Sequence, residues 1–174
     1  GISATRIACQ TENLTTKEPD LSFVNRVDSM DSDADVVLVF GGTNDFGHGD
    51  AKLGTFESRD PYTFYGAMHV LCEKLIHRFP NADILFMTPL HRCSENEALK
   101  ENGLPEETNL AGYVSIIREV AEFYGLPVLD LFSTSGLQPK VDIIKETYMP
   151  DGLHPSDAGA LRIARRLIGF LQTL

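Results

Sequence analysis

Asp151 and His154 are the residues of this sequence whose types and spacing most directly suggest chemistry. They stand three apart, on either side of Gly152 and Leu153. A carboxylate that bonds one imidazole nitrogen fixes the tautomer and orientation of the ring, so that the other nitrogen can act as a general base. Asp–Gly is also ordinary turn chemistry, so the spacing alone equally allows a structural loop.

A second candidate is Asn44, which follows Gly41, Gly42 and Thr43. Glycines let the backbone pass close to a ligand, and an Asn amide at that point could donate to a developing oxyanion. An Asn placed only for turn geometry explains the same residues. The two interpretations are equally supported by this stretch taken alone.

The residues after Asn44 allow a third kind of site. Asp45, His48 and Asp50 have a D-x-x-H-x-D spacing that could bind a divalent metal ion. The same loop would lie beside the presumed site, so that Phe46 and His48 are also candidates for contacts with a substrate.

Three short apolar runs must form the elements that position these residues. Residues 35–40, 82–88 and 126–132 are typical of strands that are buried on both faces, as in a parallel sheet. Residues that follow such strands share the edge of the sheet where ligands bind in parallel α/β folds. Asn44 and the loop that carries His154 are therefore expected at one edge.

Amphipathic periodicity predicts the helices between the strands. Helices are expected over 64–79 and 110–124, with a weaker one over 21–28. The last helix begins at Ser156, a good N-cap, with Leu161, Ala164, Ile168 and Leu171 directed inward. Alternating strands and helices indicate an α/β domain with a parallel sheet.

Composition excludes several classes of protein. The chain has 174 residues, 43% of them hydrophobic, and 15 Lys and Arg against 25 Asp and Glu give a net charge of −10. An acidic surface repels phosphate backbones and anionic lipid, so neither nucleic acid nor a membrane is expected as a partner. The odd number of cysteines, Cys9, Cys72 and Cys93, favours reduced, buried thiols in a cytoplasmic protein.

The Asn44 motif and the Asp151–His154 motif together indicate a protein family more specifically than either does alone. Gly42-Thr43-Asn44-Asp45 after a strand, with Asp151-x-x-His154 before the last helix, resembles the SGNH hydrolases, also called the GDSL esterase/lipase family. The stretch from Gly1 to Arg6 resembles the family segment in which a glycine donates its backbone N–H to the oxyanion hole, and Ala4 falls at that glycine. The resemblance implies one domain over residues 1–174 with a three-layer α/β/α, flavodoxin-like fold.

The resemblance also implies a mechanism, namely ester hydrolysis through a serine acyl-enzyme with no metal or other cofactor. His154 would be the general base and Asp151 its orienting partner. The Asn44 side chain and the Ala4 backbone N–H would hold the oxyanion.

The sequence departs from the family at the nucleophile. The family's serine lies in a Gly-Asp-Ser motif that does not occur here, and Ser133 and Ser135 are ordinary loop serines. We therefore expect the chain to start after the first strand–helix–strand unit, with the serine in an upstream segment of the same chain or in a cleaved partner chain. A signal peptide ahead of Gly1 stays open, and so does secretion. Without that segment the strand at 35–40 would be an exposed edge.

The expected substrate is a small acyl ester, with an O-acetylated carbohydrate favoured by the polar stretch at 90–108. Two alternatives stay open. One is a metal-dependent hydrolase that uses Asp45, His48 and Asp50. The other is a non-catalytic module that binds acyl groups or carbohydrate.

Overall fold

A parallel three-stranded sheet forms the centre of the domain. The computed structural model describes residues 4–10, 21–48, 51–96 and 109–174. The strands are β1 (Val36–Phe40), β2 (Asp83–Met87) and β3 (Val128–Leu129), in the order β1-β2-β3. Val36 lies opposite Asp83, and Phe86 lies opposite Val128. The predicted parallel α/β sheet is confirmed.

Helices follow each strand. They are α1 (Phe23–Arg26), α2 (Thr43–His48), α3 (Phe64–Arg78), α4 (Leu110–Phe123), α5 (Leu131–Thr134), α6 (Asp142–Tyr148) and α7 (Asp157–Leu171), with a 3-10 turn at Val27–Ser29 after α1. The predicted N-cap of the last helix is confirmed, because the Ser156 side chain accepts a hydrogen bond from the N–H of Gly159. Among the described residues, no helix is long and apolar enough to cross a membrane.

Two predicted elements are shorter than the sequence suggested. The strand expected over 126–132 pairs only at Val128 and Leu129, because the Asp130 side chain caps α5 by accepting from the N–H of Ser133. The helix expected over 21–28 spans only four residues before it tightens into the 3-10 turn. In both places a side-chain cap or a tight turn stops a pattern that apolar residues alone would continue.

Helices cover the two faces of the sheet to different extents. Val37, Val39 and Phe86 share one hydrophobic core with buried residues of α3 and α4. On the other face Met87 and Ile163 belong to a second, smaller core against α7. The larger core therefore covers the whole sheet on one side, whereas α7 packs near β2 and β3.

The expectation that β1 is buried on both faces is wrong. Val36, Leu38 and Phe40 are each more than 40% exposed, and they alternate with buried Val37 and Val39. β1 is also an edge of the sheet, because it pairs only with β2 among the described strands. An edge strand with bare apolar side chains exposes surface that proteins ordinarily cover.

The inward face predicted for the last helix is also wrong. Leu161 and Ile168 are 53% and 58% exposed, and Ala164 and Leu171 are exposed as well. Helix α7 instead turns Ile163, Leu167 and Phe170 toward the second core. The helix has two apolar stripes, and the periodicity could not tell which of them meets the sheet. We call the large apolar residues of β1 and α7 that are more than 40% exposed the open face: Val36, Leu38, Phe40, Leu161 and Ile168.

Candidate active site

A cleft of about 190 Å³ lies at the carboxyl ends of β1 and β2. The residue that ends β1, the start of α2, the turn after β2 and the loop before α7 form its walls: Phe40, Gly41, Thr43, Asn44, Pro89, Leu90, Leu153, His154 and Pro155. The structure thus places Asn44 and His154 in one cavity, at the sheet edge where the strand order predicts a ligand.

Asp151 and His154 are bonded to each other on a tight turn. Nδ1 of His154 lies 2.7 Å from Oδ2 of Asp151, and Oδ1 accepts from the backbone N–H groups of Leu153 and His154. The bond from the His154 ring and these two N–H groups lower the pKa of Asp151 to about 2. The carboxylate is thus ionised at neutral pH and favours the tautomer with the proton on Nδ1, which leaves Nε2 as a base.

Asn44 lies in the first turn of α2 rather than in a loop. Its Nδ2 donates to the carbonyl of Thr5 at 2.9 Å. An Asn amide has two N–H groups, so one can bond Thr5 while the other faces a ligand in the cleft. The bond also holds the segment that begins at Ala4 against the cleft wall.

Asp45 fixes the same segment from inside the protein. Its side chain is fully buried, and its two oxygens accept from the N–H groups of Ile7 and Ala8 at 3.0 and 2.9 Å. Burial raises the pKa of Asp45 to about 6, against the opposing effect of these N–H groups and of Arg6. At neutral pH most of this carboxylate is therefore ionised and can accept both bonds.

Ala4 adopts a backbone conformation that favours glycine. Its φ is +59°, and no other described residue except glycine has a positive φ. For an L-residue with a Cβ this region costs about 1–2 kcal/mol. The structure thus shows at Ala4 the geometry that a glycine would adopt most easily, directly before the carbonyl bonded by Asn44.

Two candidates for substrate contact lie elsewhere. Phe46 is only 1% exposed and packs edge-on against Tyr113 in the larger core, so its expected place in the pocket is wrong. His48 ends α2 and is partly exposed, but it is not among the residues that line the cleft. The helical turn explains the outcome for Phe46, since a step of two residues turns its side chain away from the face of Asn44, whereas His48 shares that face and lies one turn farther along α2.

The metal cluster is not supported by the part that the structure describes. Both Asp45 oxygens are used by backbone N–H groups inside the core, which removes the first ligand of the D-x-x-H-x-D pattern. Asp50 lies outside the described residues. Within the described ranges no group of three or more His, Cys, Asp or Glu side chains is arranged to hold a metal ion.

Sequence reasoning missed the contacts that support the turn of Asp151 and His154. The N–H of Cys93 donates to the carbonyl of Gly152 at 2.9 Å, and Gly152 has a φ of +77°. A Cβ at Gly152 would lie 2.6 Å from Sγ of Cys93, which is exposed rather than buried as expected. The Asp151-Gly152 pair predicts a turn, but no pattern in the sequence predicts that this turn contacts Cys93.

We predict that Asp45→Asn loosens the segment that carries Ala4. An amide offers one acceptor where the carboxylate offers two, so one buried N–H loses its partner at a cost of about 1–3 kcal/mol. Urea unfolding of the intact protein measures this loss, and ester turnover should fall with it. Asp33→Asn, at an exposed carboxylate, is the control. Equal stability of the two variants would contradict the assignment.

We predict that Gly152→Ala displaces the Asp151–His154 turn. The added methyl meets Sγ of Cys93, and the positive φ penalises any Cβ by about 1–2 kcal/mol. Misplacement of a base by about 1 Å lowers turnover roughly tenfold to 100-fold. Combining it with Cys93→Ala removes the 2.6 Å contact with Sγ but keeps the 3.2 Å contact with Cβ of residue 93 and the backbone penalty, so turnover should recover in part. Wild-type turnover in the single variant would refute the steric argument.

The comparisons with known proteins agree with this geometry. A sequence model described as the GDSL-like Lipase/Acylhydrolase family matches residues 3–162. A protein of known structure from Lactobacillus plantarum is 31% identical, with a TM-score of 0.84, over 99% of this chain and 79% of that chain. A second solved structure is 37% identical, also with a TM-score of 0.84, over 98% of this chain and 76% of that chain.

More distant structures share the fold. A putative GDSL-like lipase from Bacteroides ovatus is 23% identical, with a TM-score of 0.61, over 98% of this chain and 69% of that chain. A peptidoglycan O-acetylesterase is 17% identical, with a TM-score of 0.63, over 86% of this chain and 40% of that chain. No curated protein matches the sequence significantly. The family match, which extends over most of the chain, shows that this protein belongs to the GDSL-like lipase/acylhydrolase family, whose members are hydrolases of the esterase type.

Proposed function

We propose that the protein hydrolyses small acyl esters through a serine acyl-enzyme, with Asp151 and His154 as two members of a Ser-His-Asp triad. The observation that carries the proposal is the 2.7 Å bond between Asp151 and His154 in a cleft that Asn44 also lines. A module that only binds acyl groups has no use for an oriented base. A carboxylate bonded to one ring nitrogen is the arrangement that general-base catalysis requires.

The chemical steps follow from the positions of these groups. Nε2 of His154 takes the proton of the serine hydroxyl as its oxygen attacks the ester carbonyl. The second N–H of Asn44 and the N–H of Ala4 hold the oxyanion. The carbon–oxygen bond to the alcohol then breaks, and the alcohol leaves with the proton from His154. Water, activated by the same nitrogen, hydrolyses the acyl-serine to the free acid.

The serine is proposed to come from a segment that pairs with the free edge of β1. A groove of about 460 Å³ runs along this edge, and its walls are consecutive residues of β1 together with residues of α1, the 3-10 turn and α3: Phe23, Arg26, Val27, Ser29, Met30, Val37, Leu38, Val39, Phe40, Leu71 and Leu75. A strand added there would be parallel to β1 and would end at the cleft. Ser133 and Ser135 are not among the residues that line the cleft.

The open face supports the same proposal. A helix connected to the added strand would cover Leu38 and Phe40 of β1 and Leu161 of α7, as helices cover both faces of parallel sheets. The solved structures that are 37% and 31% identical to this chain both extend beyond the part that it matches. The segment is either in the same polypeptide or in a cleaved partner chain.

The lining of the cleft favours a short acyl group. Phe40, Leu90 and Leu153 supply apolar walls, and a volume of about 190 Å³ is smaller than the roughly 300–1,000 Å³ of pockets that hold drug-sized ligands. The acidic surface disfavours anionic lipid, so a neutral polar alcohol such as a carbohydrate is the proposed leaving group. The fold shared with a peptidoglycan O-acetylesterase is consistent with an O-acetylated sugar.

A fluorophosphonate probe tests where the nucleophile lies. Mass spectrometry of the labelled intact protein should find one adduct, on a serine of the segment paired with β1, and His154→Ala should abolish it. An adduct inside the 174 residues would overturn the proposed source of the serine. No adduct, with activity lost to a chelator, would indicate a metal-dependent hydrolase. No adduct and no turnover, but binding of acylated sugar, would indicate a binding module.

We predict that Asn44→Ala lowers kcat for a short-chain ester roughly 100- to 1,000-fold, because one oxyanion donor stabilises the transition state by about 3–4 kcal/mol. The KM should change little, since the donor acts mainly in the transition state. Asn81→Ala is the matched control, at an exposed Asn just before β2 at the opposite edge of the sheet. A loss of less than about tenfold in Asn44→Ala would refute its oxyanion role.

A further inference from the structure

We propose that Glu95 is a positioning residue for the Asp151–His154 turn. It would act through the turn formed by residues 91–95, on which the catalytic turn rests. This inference rests on the proposed function in one respect, namely that His154 is the base. The contacts that carry it do not depend on the reaction.

Glu95 is a nearly buried carboxylate with three donors around it. It is 8% exposed, in a protein whose other acidic residues are mostly at the surface. Oε2 accepts from Nδ1 of His91 at 2.7 Å and from the N–H of Arg92 at 3.3 Å, and Oε1 accepts from Nζ of Lys140 at 2.9 Å. Both oxygens are therefore used, and a single residue ties the turn after β2 to the segment before α6.

The charge on Glu95 is maintained by these partners. Burial raises the pKa of the carboxyl group, but the bonds from Lys140 and His91 outweigh burial and hold the pKa below its usual value. The ring of His91 is fixed a second time, since it lies against Phe132 with ring centroids 3.8 Å apart. A charged group with this many neighbours makes the turn rigid.

The same turn contacts the catalytic one directly. Two residues before Glu95, the N–H of Cys93 donates to the carbonyl of Gly152. Sγ of Cys93 fills the space where a side chain at Gly152 would be, and it lies 3.7 Å from the carbonyl oxygen of Pro139. Any movement of residues 91–95 is thus transmitted to the residue between Asp151 and His154.

The proposed base is therefore supported in two ways, through its side chain and through its backbone. Asp151 orients the ring of His154 by a direct bond, whereas Glu95 holds the backbone from which Asp151 and His154 project. Both catalytic side chains are largely exposed, at 54% and 76%, so they gain little rigidity from packing. The backbone support from the turn at 91–95 then decides how often the ring points into the cleft.

Glu95→Gln in the intact protein tests this role. Gln keeps the shape but has one acceptor, so it cannot serve both Lys140 and the donors of His91 and Arg92. We expect kcat to fall about tenfold with KM changed less than about twofold, because substrate contacts stay in place. Lys140→Met should lower kcat by a similar factor, whereas Lys140→Arg, which keeps the charge, should retain most of the wild-type kcat.

Hydrogen exchange followed by NMR gives a readout that does not need turnover. In Glu95→Gln the N–H groups of Cys93, Leu153 and His154 should exchange several-fold faster, while those of β1 and β2 should keep their wild-type rates. Glu73→Gln is the matched control, at a carboxylate that accepts from Tyr124 far along the chain. It should leave kcat and these three exchange rates unchanged.

The outcomes separate the two proposals. Faster exchange at Leu153 and His154 in Glu95→Gln supports the positioning role even if the wild-type protein proves to have no esterase activity. Unchanged exchange at these residues overturns the role. A uniform rise in exchange across β1, β2 and the catalytic turn overturns it too, because Glu95 would then contribute only to global stability.

Discussion

The buried carboxylate of Asp45 is the interaction on which the site depends most. Its two oxygens accept from the N–H groups of Ile7 and Ala8, which are 38 and 37 positions away in the sequence. Together with the Asn44 amide, which donates to the carbonyl of Thr5, this bond pair ties the stretch that contains Ala4 to α2. The proposed oxyanion donors, one from a backbone N–H and one from a side chain, are therefore set at a fixed separation by a residue that contacts no substrate. Burying a charge is costly, and the two donors offset much of that cost.

The open face explains why the sheet is asymmetric. One side of the sheet is fully packed by α3 and α4, whereas the other is covered only where α7 meets β2 and β3. Apolar side chains on β1 and on the outer stripe of α7 face solvent in the described structure, which is unfavourable for an isolated domain. A further strand and helix would bury them. The packing of the sheet and the lack of a serine among the described residues of the cleft walls therefore lead to the same proposal.

Local sequence patterns correctly predicted the features that depend on residues close in the sequence. They failed for side chains whose burial or partners depend on residues far away in the chain. The parallel order of the strands brings Asn44 and His154 to one edge, and the N-cap at Ser156 depends on its own turn. By contrast, the D-x-x-H-x-D pattern suggests ligands because spacing does not reveal that Asp45 is buried. Spacing also does not reveal which apolar residues of α7 are buried, since the helix has more apolar surface than the described sheet can cover. The sequence therefore predicted the wrong inward face. The role of Glu95 had no local signal, because its cation partner is 45 residues away.

The exposure of the Asp151–His154 pair has an electrostatic consequence. With the side chain of His154 76% exposed, water and dissolved ions screen the attraction between the carboxylate and a protonated ring. In the proposed reaction an ester bound in the cleft displaces that water and lowers the local dielectric constant. The attraction that stabilises the protonated ring is then strongest at the moment when His154 has accepted a proton. For the proposed base, the bound substrate therefore provides the low dielectric constant that the exposed position of His154 does not provide.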